Sequence, residues 1–230
     1  MAESRQGDPD GGRRAADDRD ERQTPEGRRP ATGPSEAGVE PAEAEPSAHE
    51  AADPEVEARR AAALSIVRRF GDPVLRSRAT SVDRFDEALR VQVARMGGLL
   101  SDALGVGLAA PQVGLSQRLL VYRLGPEAPL IALINPEVEW HSDDRETLEE
   151  GCLSIPAVHL DVERPVHLRV RAVDENGAER LVEASGLEAR VIQHEIDHLD
   201  GVLILDRVSR DERKEAMRAL REAERGAEAA

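Results

Sequence analysis

Aromatic side chains are scarce in this chain: Phe70, Phe85, Tyr122 and Trp140 are the only four among 230 residues. Any core must therefore be aliphatic. Cys152 is the single cysteine, which excludes an internal disulfide and favours a reducing, cytoplasmic setting. No apolar run reaches the length of a membrane span; the longest, such as Leu130 to Ile134, are strand-sized. The first residues lack the basic start and apolar middle of a secretion signal, and their acids argue against an organelle transit peptide. A surplus of positive charge is also missing. The formal net charge of −15 argues against nonspecific affinity for nucleic acid, and no sequence-specific nucleic-acid binding or membrane partner is expected. Lysine is nearly absent, Lys214 being the exception among 31 basic residues; nothing physical in the sequence explains that bias.

What is present divides unevenly. Residues 1–60 contain only Met1, Val39 and Val56 as large apolar side chains, amid 16 acids and 9 arginines. Such a segment buries too little apolar surface to offset its conformational entropy and is expected to be a disordered acidic extension. Residues 61–209 read as one domain, long enough to close a single core. Residues 210–230 read as an amphipathic helix and tail with balanced charge.

Within the domain the hydrophobic period changes from segment to segment. Phe85, Leu89, Val93, Met96 and Leu100 recur at helical spacing, and the spacing predicts a helix from Val82 onward with Ser81 or Asp83 as cap. Gly105-Val106-Gly107 ends it. Segments 118–124 and 130–134 read as strands about a Gly125-Pro126 turn, and 137–147 as an extended excursion. Segments 166–173 and 179–183 read as a hairpin about Glu175-Asn176-Gly177. A further helix is predicted from about Leu187 to Leu199, with Leu187, Val191 and Ile192 facing inward. The fold class expected is α+β, with short, mostly antiparallel strands packed around a central helix.

That helix carries His194-Glu195-Ile196-Asp197-His198. At 3.6 residues per turn, positions 194 and 198 share one face, where two imidazoles can bind one divalent cation and Glu195 projects beside it as a base. Two histidines need a third protein ligand. Cys152, in Glu150-Gly151-Cys152-Leu153-Ser154, offers a soft thiolate, and Gly151 permits close approach. Glu212 or Glu215 on the last helix would be the alternative, as in thermolysin-like metallopeptidases. Asp197 and Asp200 are candidates to orient the histidines.

Three segments in order, Gly105-Val106-Gly107-Leu108-Ala109-Ala110-Pro111-Gln112, Glu150-Gly151-Cys152-Leu153-Ser154 and Gln193-His194-Glu195-Ile196-Asp197-His198-Leu199-Asp200-Gly201, resemble the signatures of peptide deformylases. Flanking segments such as Phe70-Gly71-Asp72-Pro73 and Ile134-Asn135-Pro136 fit as well, and the resemblance covers about residues 64–210. It implies a peptide-deformylase-like fold and a hydrolase that removes the formyl group from the N-terminal formylmethionine of newly made proteins, releasing formate. It also implies Cys152, His194 and His198 as metal ligands and Glu195 as general acid/base. The Gln112 amide and the Leu153 backbone N–H would serve as oxyanion donors, and Val106, Gly107 and Gly151 would border the extended substrate. Ile192, His194 and Leu153 would neighbour the methionine side chain. The family's ion is usually Fe2+, with Zn2+, Ni2+ or Co2+ possible. N-formylmethionyl nascent peptides are the partners implied, and in some members a C-terminal helix contacts the ribosome. The competing readings are a zincin-type metallopeptidase and a non-catalytic peptide-binding relative.

Overall fold

Alternating burial along the middle of the chain sorts it into antiparallel strands. The computed structural model describes residues 53–228, within one compact unit, Ala48–Ala230. Its strands are β1 (Gly107–Ala109), β2 (Leu119–Tyr122), β3 (Ile131–His141), β4 (Arg145–Cys152), β5 (Ile155–Pro165), β6 (His167–Val173) and β7 (Glu179–Ser185). The helices are α1 (Pro54–Ile66), α2 (Glu87–Asp102), α3 (Gly186–Leu199) and α4 (Arg210–Glu228). Five strands form one antiparallel sheet in the order β1-β2-β3-β6-β7, while β4 and β5 form a separate hairpin. The outcome is the α+β class.

Both faces of the large sheet are covered, and the two-residue period of its strands decides which side chain goes where. Leu120, Tyr122, Leu133, Leu168 and Val170 pack on one face with Ala189, Ile192, Ile196 and Leu199 of α3. Their neighbours Leu119, Val121 and Ile134 point the other way, onto Leu89, Val93, Met96 and Leu100 of α2. A third cluster joins Leu160 and Val162 of β5 to Leu203, Ile204 and Leu205 and to Ala216 and Leu220 of α4. The metal-motif helix therefore lies between the sheet and the β4–β5 hairpin.

Several expectations change. Helix α2 starts at Glu87, not near Val82, because the Asp86 side chain accepts from the Leu89 N–H at 3.2 Å and caps it there. At its far end the left-handed residue is Leu104 (φ 56°), and not a glycine. Of the expected acidic extension, residues 1–52 lie outside the described residues, but 54–60 are helical. Asp53 caps α1 by accepting from Glu55 N–H at 2.9 Å, Pro54 opens its first turn, and Ala63 is buried. The last strand runs two residues further than expected, to Ser185. The excursion at 137–147 proves to be the end of β3 and the start of the β4–β5 hairpin.

Candidate metal centre

The two-residue loop Leu153-Ser154 closes the β4–β5 hairpin and puts Cys152 at the end of β4, where the register slips between Gly151 and Cys152. Helix α3 brings up His194 and His198 on one face, one turn apart. The ligand atoms of Cys152, His194 and His198 all lie within 4.8 Å of one another, and Cys152 Sγ is 3.3 Å from His198 Nε2. Glu212 and Glu215 belong to no such group among the described residues.

Cys152 and His194 are prepared for a cation. Burial pushes the Cys152 thiol up, but the neighbouring His198 and His194 outweigh it and hold it well below the usual thiol range. Burial pulls His194 down, yet the Cys152 sulfur and Glu150 raise it well above its ordinary value. Such excess negative potential attracts a divalent ion as well as a proton, and a thiolate with two imidazoles suits a first-row metal of intermediate softness. His194 Nδ1 faces Glu150 Oε2 at 3.0 Å, so its Nε2 is the nitrogen left to bind. The donor set thus fits a divalent metal ion.

Glu195 follows His194 on α3 and is buried to 3 % exposure. Burial pushes its carboxyl above the ordinary value, against the pull of the two histidines. Its Oε2 has no hydrogen-bond partner among the described residues, an unusual state for a buried carboxylate. Gly107 makes the space for it: a β-carbon on Gly107 would stand 2.9 Å from Glu195 Cγ and Cδ. The missing side chain at 107 is what gives the Glu195 carboxylate its place.

Gln112 lies in the 3-10 turn Ala110–Val113. Its Oε1 accepts the Ala109 N–H at 2.8 Å, so the amide nitrogen must turn the other way. That nitrogen donates to Ser154 Oγ at 3.3 Å and reaches Cys152 Sγ at 3.8 Å. Leu153, Val106, Gly107 and Gly151 all line one cavity of about 450 Å³ with Gln112, Cys152, His194 and Glu195. The Val106 carbonyl accepts Arg123 N–H at 2.9 Å, and among the described residues β1 is the sheet's edge strand, pairing only with β2.

Not every expected neighbour is there. Ile192 is fully buried in the sheet-side core and does not border the cavity; Leu187, Arg190, Val191, His194 and Glu195 do. Their spacing of three and four is the helical face opposite the sheet. Leu187, expected inside, is 57 % exposed on that face. Asp197 and Asp200 orient neither histidine: Asp197 pairs with Arg164 and Arg207, and Asp200 with Arg118 and Arg78.

Glu150 takes the role expected of those aspartates. Besides His194 it accepts from Arg164 Nε at 2.6 Å and Nη2 at 2.9 Å, and from Arg190 Nη1 at 2.7 Å. Arg190 also donates to the carbonyls of Val162 (2.8 Å) and Glu146 (2.7 Å). Burial raises the Glu150 carboxyl, but Arg164 and His194 more than reverse this, to about 2. Sequence reasoning missed both arginines. The period of β5, buried at Leu160, Val162 and Arg164, was the available signal: it carries an apolar face onto an arginine, which then needs a buried acid.

Together the fold and the cluster define a class: an α+β metal-dependent hydrolase with a thiolate and two imidazoles around a cation site and a buried carboxylate beside it. Residues 64–214 match the family model described as polypeptide deformylase, and the chain belongs to the peptide deformylase family. A peptide deformylase of Thermotoga neapolitana is 50% identical over 142 residues, 62% of this chain and 85% of that protein. One from Acidothermus cellulolyticus is 44% identical over 162 residues, 70% of this chain and 88% of its own length. Among solved structures, a Synechococcus elongatus peptide deformylase in complex with actinonin has 48% identity and a TM-score of 0.64, covering 66% of this chain and 84% of that one. The Legionella pneumophila enzyme has 38% identity and a TM-score of 0.67, covering 69% and 94%.

Proposed function

We propose that this chain hydrolyses the formamide of N-formylmethionyl peptides, with Cys152, His194 and His198 holding one divalent ion and Glu195 moving the proton. The observation that carries the reading is the buried Glu195 carboxylate, held above its ordinary protonation range beside the ligand cluster, with Oε2 unpartnered among the described residues. A divalent ion in that cradle supplies Lewis acidity towards water and towards the formyl oxygen. Glu195 accepts a proton from the attacking water at its free oxygen and returns it to the departing amine, leaving formate and a free N-terminus. Gln112 Nε2, already aimed by its bond from Ala109, donates to the oxyanion together with the Leu153 N–H. The substrate backbone adds as a strand along the open edge of β1 at Val106 and Gly107, with Gly151 on the facing wall. Val191, His194 and Leu153 surround the methionine side chain.

Ferrous iron is the resident ion in this reading, the cytoplasm the compartment, and chains emerging from the ribosome the substrate. No described helix is long and apolar enough to cross a membrane. The bond from His194 to buried Glu150 favours this reading over a metallopeptidase with a carboxylate ligand, since it aligns the imidazole towards Cys152. The test is anaerobic purification with iron, metal analysis, and formate release from a formyl-Met peptide. Glu195→Ala should nearly abolish release while metal stays bound; full activity in that variant would overturn the assignment. Loss of ribosome co-sedimentation on deleting residues 210–230 would add a contact through α4, and unchanged binding would remove it.

A further inference from the structure

Helix α1 contributes to the cleft, although most of it precedes the residues that match the family model. Ala63 and Val67, four apart, are buried. Arg60 and Leu64, also four apart, form the adjoining stripe and line the cavity that holds Cys152, His194 and Glu195. Arg69, just after the helix, lines it too. Neither Arg60 nor Arg69 has a carboxylate partner among the described residues, whereas most other cleft charges are committed. Glu150 and Arg190 are locked together, and Glu195 is buried beside the ligands. The exposed charges left on the lining are Arg60 and Arg69 against Glu149, with His159 beside them. The mouth is therefore net positive on a chain of net charge −15, a local reversal of sign. Leu64, Leu104, Val106 and Leu187 supply apolar wall to the same cavity. The cavity, at about 450 Å³, is in the range of sites that hold more than one side chain.

We propose that α1 makes the mouth of this cleft a second reading site, at which Arg60, with Arg69, favours an acidic side chain downstream of the formylated methionine. The inference rests on the deformylase reading and adds a substrate class to it. A peptide running out along the edge of β1 leaves its reacting end at Glu195 and carries its next residues towards the N-terminal wall. An exposed arginine there acts by screened attraction, so its effect is modest and salt-dependent.

The experiment compares three formyl-Met peptides identical except at the third and fourth positions: two glutamates, two lysines, or two serines. Formate release should favour the acidic peptide over the basic one about three- to five-fold in kcat/KM at low salt, as one exposed ion pair allows. The preference should shrink at about 0.5 M salt. Arg60→Ala should bring the ratio towards one and Arg60→Glu should invert it, both leaving the serine peptide unchanged. Arg60 is exposed, so neither variant threatens folding, and circular dichroism with metal analysis checks this. Equal rates on charged peptides, or a preference unmoved by Arg60→Glu, overturns the role of α1 while formate release from the serine peptide upholds the deformylase reading. No release from any peptide overturns that reading, and this inference with it.

Discussion

The carboxylate of Glu195 fills the space in which a β-carbon on Gly107 would stand, 2.9 Å from its Cγ and Cδ. An edge strand and the metal-motif helix thus meet at a glycine, and the Glu195 carboxylate is positioned by what residue 107 lacks. Gly107→Ala should push Glu195 out of line. A displacement of that size costs about 10- to 100-fold in kcat, with metal content unchanged. Turnover and bound metal measured together check this; wild-type turnover would show that Glu195 has room to yield.

Removing Arg164 should expose how strongly the ligand helix depends on its backing. Arg164 and Glu150 are 4 % and 6 % exposed, and Arg164→Met leaves the acid beside His194 short of its main partner. Breaking a buried pair from one side costs about 3–5 kcal/mol. Metal affinity should fall about 10- to 100-fold as His194 loses its alignment. Denaturant midpoints and a chelator competition measure the two effects separately. Stability lost with unchanged metal affinity would limit Arg164 to a folding role.

Cys152→Ser separates the deformylase-type site from a two-histidine site with a distant carboxylate. A hydroxyl replaces the soft thiolate, so metal affinity should drop by more than about 100-fold, read by metal analysis after dialysis. Metal retained in full would point to another third ligand.

Asp206 supplies a pH test of the fold. It accepts the Leu203 N–H and Arg213 Nη1, each at 2.9 Å, and pairs with Arg76. Burial raises its carboxyl, but the Leu203 N–H and Arg76 outweigh this and hold it below its ordinary value of 3.8. A depressed carboxyl stabilises the fold fully above its unfolded value and loses that contribution as pH falls through the folded one. Asp206→Asn should therefore cost about 1–2 kcal/mol at pH 7, and the difference from wild type should fade as pH drops below 3.8. Urea melts at pH 7 and near pH 3 decide it; a constant difference would mean the loss is steric.

Local patterning carried much of this protein's design. Helical spacing put His194 and His198 on one face, the Asn176-Gly177 turn marked the β6–β7 hairpin, and the run from Phe85 to Leu100 marked α2. The start of α2 is not legible locally, because Ser81, Asp83 and Asp86 are all chemically able to cap, and only the chain path decides that Asp86 does. The β4–β5 hairpin was harder to see. Its polar strand β4 has no regular apolar face, since its buried position is Glu150.

The residue types and spacing determined that a thiol, two imidazoles and a carboxylate were available. Tertiary structure decided which groups serve them. Glu150, not Asp197, faces His194; Arg164 and Arg190 reach it from strands and helices 14 and 40 residues away; Val191 borders the cleft and Ile192 does not. The physical reason is common to all of these. A helix or strand period is a property of neighbouring residues, whereas a buried charge finds its partner through contacts between segments whose separation no local pattern encodes.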